Sequence, residues 1–442
     1  MNMRDIIAKK RYSEALTGEE IAFFVKGVTS GEIPDYQTSA LLMAIVLNGM
    51  TDEEMTILTT EMANSGKIND LSYLGCKAVD KHSTGGVGDK CTPLILPLVA
   101  SFGIKTVKLS GRGLGFTGGT VDKFESIEGF NVNVNAADFP KLIESNGMVI
   151  SGQTPDLAPA DKILYSLRDV TSTVDSIPLI ASSIMSKKIA GGANAIVLDV
   201  TCGEGAFMKD IEQARKLSSA MISIGKLAGR EVTCVITSMD EPLGRNIGNV
   251  LEMMEVFEVL QGNGEDDLVE VVTTLASHMI KLSDAKEKDL SIDEIKEICK
   301  TRLKDGTALE YYDKLIIGQG GLIHSTGSPV YRDYPVEVMR LTAPCDGYIS
   351  AVKADMIGNS SVELGAGRLQ KTDELDYGAG ICIYKKIGDK VNKGDAICAL
   401  YKGKNATVDE DRLEKAAELA FDAFEYSSEP VNDIKVILDV CC

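Results

Sequence analysis

Two glycine-dense stretches carry the residue types that hold small anions: DKHSTGGVGDKCT, residues 80 to 92, and LSGRGLGFTGGTVDKFES, residues 109 to 126. Such loops let backbone N–H groups converge on phosphate oxygens, and a helix starting just after them adds partial positive charge. Lys81, Ser83, Thr84 and Thr92 accompany the first, and Lys108, Ser110, Thr117 and Thr120 the second. Two ammonium groups and converging hydroxyls would coordinate one small dianion. Gly113, Gly115 and Gly118 also spell the dinucleotide fingerprint G-x-G-x-x-G. That reading is weak, because the preceding run ends in Lys108 and Ser110, and Asp138, at the spacing of a ribose-binding acid, follows two alanines as at a helix start. GGVGDKCT does not match the P-loop pattern either.

The elements needed to position these loops can be read from the rest of the chain. Thr17 with Glu20 and Thr51 with Glu54 have capping-box spacing ahead of apolar helical patterns, so residues 1–66 read as a helical unit. From Ala78 onward short β-type runs (KAVDKHS, IKTVKLS, AIVLDV, REVTCVITS) alternate with helical stretches, the texture of an α/β domain over 67–335. Residues 336–442 supply short strands with glycine turns, a small α+β domain resembling the barrel-sandwich segments of biotinyl and lipoyl carriers.

Composition narrows the partners. The 442 residues carry a net charge of −19, which argues against nucleic acid or an anionic membrane surface, so any anion site must be local. Ten cysteines without a C-x-x-C pair fit reduced thiols in a cytoplasmic protein, and neither a signal-peptide core nor a membrane-length apolar run is present. Only His82, His278 and His324 are available for histidine chemistry.

The strings KHSTGGVGDK, SGRGLGFTGGTVDKFES and TPDLAPADKILYSLRDVTSTVDSIPLIASSIMSKK resemble the thymidine and pyrimidine-nucleoside phosphorylase family over nearly the whole chain. The resemblance implies a homodimer in which a helical domain, with part of 160–190 packed on it, faces an α/β domain across a closing cleft. It implies a pentosyltransferase that uses inorganic phosphate as co-substrate, with no organic cofactor, to release pyrimidine from uridine, thymidine and deoxyuridine with inversion at the anomeric carbon. Phosphate binding falls to Lys81, Ser83, Thr92, Lys108, Ser110 and Thr120. Base binding falls to Tyr165, Arg168, Ser183 and Lys187, and His82, Arg168 and Lys187 are the catalytic candidates. Ser183 and Lys187, spaced i, i+4, would share a helix face, while His278 and His324 read as structural.

Three positions depart from the family pattern. Phe116 stands where histidine is usual, and Thr201 where lysine is common. Lys90 lies among the positions, Gly88, Lys90, Leu243, Asn246 and Glu255, where some members hold a monovalent cation such as potassium; either backbone carbonyls hold that ion here, or the Lys90 ammonium replaces it. Competing readings are a nicotinamide-dependent oxidoreductase, a carrier presenting Lys353 on a hairpin at AVKADMIG, a strict thymidine phosphorylase, and a phosphoribosyltransferase, which would want an acidic pair such as Asp122 and Glu125 free for magnesium.

Overall fold

A computed structural model describes every residue except Leu114, Thr117, Lys371, Val408 and Asp433. The loop hydroxyl of Thr117 therefore lies outside the described residues.

Four helices, α1 (Met3–Arg11), α2 (Gly18–Ser30), α3 (Asp35–Asn48) and α4 (Asp52–Asn64), open the chain. Both capping boxes form: Thr17 caps α2 and Thr51 caps α4, each answered by the glutamate three residues on. The apolar stripes they start, Ile21, Phe24, Val25 and Val28 with Leu58 and Met62, share one core. Two later helices, α8 (Pro159–Arg168) and α9 (Ile177–Ala190), add Ala160, Leu164 and Leu179 to it, so this unit borrows two of its six helices from the middle of the chain. One charged pair sits inside: Lys10 Nζ lies 2.8 Å from Glu54, both side chains nearly fully buried, and Glu54 also accepts the Leu16 N–H at 2.7 Å.

The α/β unit is built on strands β1 (Val79–Ser83), β4 (Ala195–Cys202) and β5 (Glu231–Ser238), paired in parallel in the order β1-β4-β5. All eight residues of β4 are buried, as a central parallel strand covered on both faces requires. A separate parallel pair joins β2 (Thr106–Ser110) to β3 (Met148–Gly152). Helices α5 (Cys91–Ala100) and α6 (Thr120–Glu125) begin beyond the C-terminal ends of β1 and β2; α7 (Phe139–Asn146), α10 (Ile211–Leu227) and α11 (Asn249–Leu260) pack around them. The start of α7 at Phe139 agrees with Asp138 as a helix-start residue.

The expected division at 335/336 is crossed twice. Strand β6 (Asn246–Ile247) leaves the α/β unit to pair with β9 (Gly380–Ile383), in a sheet whose other members are β7 (Pro335–Thr342) and β11 (Ala396–Gly403). A second sheet holds β8 (Gly347–Val352), β10 (Lys390–Val391) and β12 (Phe424–Ser427). Conversely, the last strand, β13 (Ile437–Cys441), returns to pair antiparallel with β5, and Arg215 fixes it through Asp439 at 2.7 Å. This covers a sheet edge whose N–H and C=O groups would otherwise be open to another chain. AVKADMIG is no hairpin: Lys353 precedes the helix Ala354–Glu363 and pairs with Glu425 at 2.6 Å, which removes the presentation a carrier needs.

Lys10→Met would leave Glu54 buried and unpaired. The expected cost is about 3 kcal/mol, read as a lower thermal midpoint, with part of the loss recovered when Glu54→Gln is added.

Candidate active site

The two glycine loops leave the C-terminal ends of neighbouring parallel strands. Lys81 and Ser83 end β1, Lys108 and Ser110 end β2, Thr92 lies in the first turn of α5, and Thr120 is the first residue of α6. Strand alternation sends Lys81 and Ser83 to one face. The backbone needs glycine at two points in particular: Gly88 has φ +74°, and a Cβ on Gly119 would fall 2.0 Å from the Gly113 nitrogen. Lys108 reaches across to donate to the Lys81 carbonyl, which ties the two strand ends together.

Lys81 is the most constrained of these groups. Its side chain is 3% exposed, its Nζ lies 3.7 Å from Asp89 and 3.6 Å from Asp199, and among the described residues it hydrogen-bonds no protein atom. Burial works against the charge, but the two aspartates outweigh it and hold the ammonium protonated. The same attraction keeps Asp89 well below the usual carboxylate range against the opposing effect of burial. Beside it, Asp80 receives Lys188 at 2.7 Å and Lys108 at 3.5 Å. Burial, assisted by Lys188 and Lys81 and opposed by Asp80, pulls the Lys108 amine down to about 7. Three lysines thus face three aspartates, and a dianion placed among them would find one ammonium with unused donors, at Lys81, and one amine ready to take up a proton, at Lys108.

Both loops are clamped from outside. Thr201 donates to the Gly85 carbonyl at 2.5 Å and its N–H meets the Thr84 hydroxyl at 3.0 Å, so this buried threonine fastens the first loop, where a lysine would bring another charge. In the second loop Asp122 accepts the Gly113 N–H at 2.7 Å, Arg112 at 3.0 Å and Arg368 at 3.0 Å. Arg368 also lends its carbonyl to the Gly115 N–H at 3.0 Å. Glu125 is held by Arg112 and by the Tyr377 hydroxyl at 3.1 Å. The Asp122 and Glu125 pair is therefore spent on shaping the loop rather than free for magnesium, and it does more than begin a helix. Phe116 packs against the helix Ala354–Glu363 at Gly358, where a Cβ would lie 3.0 Å from it; the C-terminal unit thus braces the second loop.

The base-side candidates gather on α8 and α9. Lys187 Nζ donates to Asp161 at 2.6 Å and to the Ser183 hydroxyl at 3.0 Å, the contact that i, i+4 spacing requires. Arg168, the last residue of α8, stands 5.7 Å from the Tyr165 ring. Its guanidinium is buried and gives N–H groups to the Thr173 and Leu179 carbonyls at 3.0 and 3.1 Å and to Val174 at 2.5 Å. Two of its five N–H groups remain for a ligand. Burial, then Lys188, Lys108, Lys187 and Lys81, push the His82 imidazole well below its ordinary value, so it is neutral and offers an N–H rather than a full charge. Lys187 and Lys188, adjacent on α9, turn to different partners: one to Asp161 beside the base-side candidates, the other to Asp80 beside Lys108 and Lys81.

The cation positions do not fit a bound ion. Lys90 is fully buried with its Nζ 2.7 Å from the Leu243 carbonyl and 2.8 Å from Glu255, while Asn246 turns its side-chain amide to the Leu251 carbonyl. An ammonium already stands where those oxygens converge. Asp89, Cys91 and Asp199 cluster as metal ligands might, but Lys81 lies against both carboxylates and burial pushes the Cys91 thiol well up. Sequence reasoning assigned no role to Asp80, Asp161, Lys188 or Arg368, and marked Thr201 only as a departure from the family pattern. Asp80, Asp161 and Lys188 lie within the quoted strings, which was the available signal, whereas Arg368 has no local one.

Comparison with known proteins bears directly on this geometry. Residues 4–66 match the helical bundle domain of a glycosyl transferase family, 75–309 its a/b domain, and 348–424 a pyrimidine nucleoside phosphorylase C-terminal domain. The pyrimidine-nucleoside phosphorylase of Staphylococcus haemolyticus is 48% identical, covering 91% of this chain and 93% of that one. The Geobacillus stearothermophilus enzyme of the same name is 45% identical over 99% of each. An anthranilate phosphoribosyltransferase from Thermus thermophilus, 16% identical, superposes with a TM-score of 0.54 over 71% of this chain and 98% of its own, a likeness of fold alone. With three domains of the expected kinds in order and relatives matched end to end, the chain belongs to the pyrimidine-nucleoside phosphorylase family of pentosyltransferases.

Proposed function

We propose that the enzyme cleaves uridine, thymidine and deoxyuridine reversibly with inorganic phosphate, giving free pyrimidine and pentose 1-phosphate in nucleoside salvage or catabolism. It works as a cytoplasmic homodimer without an organic cofactor; among the described residues no helix is long and apolar enough to cross a membrane. The observation that carries this reading is the buried Lys81 ammonium with no hydrogen-bond partner among the described residues, beside Lys108 and the hydroxyls of Ser83, Thr92, Ser110 and Thr120. A hydrogen phosphate dianion, with three charged acceptor oxygens and one O–H, complements that set.

A phosphate oxygen attacks the anomeric carbon from the face opposite the base. The C–N bond breaks as the new C–O bond forms, so the configuration inverts. The electron pair leaves with the pyrimidine, and the proton of hydrogen phosphate ends on the base nitrogen. The transition state has oxocarbenium character with negative charge growing on the ring, so donors placed around the ring lower the barrier. Arg168 and Lys187 meet the carbonyls, Ser183 the ring N3–H, and the neutral His82 donates an N–H to a carbonyl, with Tyr165 beside them. Because Lys187 and Lys188 lie on one helix but serve different halves, a small rotation of α9 as the cleft closes would bring base and phosphate into line.

Lys108 can also reach a ribose 2′-hydroxyl, which separates this reading from a strict thymidine enzyme. Purified protein should release uracil and thymine only when phosphate is present, with a purine nucleoside left intact; phosphate-independent release would overturn the reading. Lys108→Met should lower uridine turnover more than thymidine turnover, and equal losses would remove the specificity role.

A pH dependence follows from the depressed Lys108 amine. Below about 7 it is protonated, above that neutral. Bound dianion favours the protonated form, so binding takes up a proton and phosphate affinity should weaken as pH rises above 7. Calorimetric titration of phosphate from about pH 7 to 9 should show that decline in the parent and a flatter profile in Lys108→Arg, whose charge does not titrate.

A further inference from the structure

Lys90 ends the first glycine loop and immediately precedes α5, yet its side chain is wholly buried and pairs with Glu255 rather than with the aspartates that hold Lys81. Its surroundings are oxygen: the Leu243 carbonyl at 2.7 Å and the Glu255 carboxylate at 2.8 Å. Glu255 is itself fixed, accepting the N–H groups of Arg245 and Asn246, each at 2.8 Å. The backbone closes around the ammonium through two glycines in the left-handed region. A Cβ on Gly88 would lie 3.3 Å from Nζ, and one on Gly244 only 2.8 Å. Burial opposes the charge, but Glu255 and Glu252, with Asp267 behind them, more than offset it. The other cations of the neighbourhood have their own partners: Lys123 with Glu252 at 3.3 Å, and Lys386 with Asp267 and with Glu241 at 3.3 Å.

A carbonyl and a fixed carboxylate, closed over by two glycines that leave room for nothing larger than the ammonium head, are oxygens of the kind that take a monovalent cation, and here the chain fills the place from within. The contact has mechanical consequences. It joins the phosphate loop to residues 243–246, which run directly into β6 and so into the C-terminal sheet, and to the middle of α11. We infer that Lys90 is a positioning residue whose tethered ammonium replaces a bound potassium ion, so that the first glycine loop is held in shape without any free cation. A point charge on a four-carbon stem suits that task, since it binds at unit effective occupancy and cannot be diluted away.

The inference takes the loop's ligand from the proposed function, but melting behaviour does not depend on that ligand, so the two can fail separately. The parent and Lys90→Thr would be melted, and their phosphate KM measured, in potassium chloride and in choline chloride at equal ionic strength. The parent should give the same midpoint and the same KM in both salts. Lys90→Thr in choline should melt lower and show a phosphate KM raised about tenfold, and potassium should restore both with a saturable dependence. A parent that melts higher with potassium, or a folded Lys90→Thr indifferent to potassium in both readouts, would overturn the inference. If Lys90→Thr does not fold, Glu255→Gln takes its place. It keeps the ammonium and removes the charge an ion would need, so its lower midpoint should not be rescued by potassium, and rescue would contradict the account.

Discussion

A buried ammonium that touches two carboxylates without hydrogen-bonding either is the constraint around which this enzyme is arranged. Lys81 lies at 3.7 and 3.6 Å from Asp89 and Asp199, near enough for Coulomb attraction to keep it charged and too far to satisfy its three N–H donors. Removing such a charge from water costs several kcal/mol unless partners compensate. The aspartates supply the compensation in charge, and in the proposed function a phosphate oxygen supplies it in hydrogen bonds. Each neighbouring feature serves to keep that balance: β4 brings Asp199 into register with Ser83, Thr201 clamps the loop that carries Asp89, and Lys108 ties the second strand end to the first.

The three units of the chain matter to this site through a few specific contacts. Helix α9 gives Lys187 to Asp161 on the proposed base side and Lys188 to Asp80 on the proposed phosphate side. The C-terminal unit, which has no reacting group of its own in this account, holds the second loop from behind through Arg368, Tyr377 and the packing of Gly358 on Phe116. Strands β6 and β13 cross between the α/β and C-terminal units in opposite directions, so neither can move far without the other.

What could be read from the sequence was local. Capping boxes at Thr17 and Thr51, strand ends followed by glycine loops, and the i, i+4 pairing of Ser183 with Lys187 all lie within a few residues of each other, and each has the structure its spacing requires. Long-range pairings gave no such signal. Asp80 meets Lys188 across 108 positions and Arg368 meets Asp122 across 246. Strand β3 carries no lysine and opens no glycine-dense loop of the kind that marks β1 and β2, and nothing in ILDVC says which sheet edge β13 covers. The chain's departure at Lys90 was visible as a residue, but only the convergence of Leu243, Glu255 and two glycines on its ammonium shows what it does.

The central claim is that Lys81 is kept charged and unsatisfied for phosphate. Calorimetric titration of inorganic phosphate into the parent and into Lys81→Met, each first shown to be folded, tests it most directly. The account predicts saturable binding to the parent and a loss of about a hundredfold or more in the variant, as expected when a charge-assisted partner in a buried site is removed. Phosphate affinity unchanged in folded Lys81→Met would contradict it.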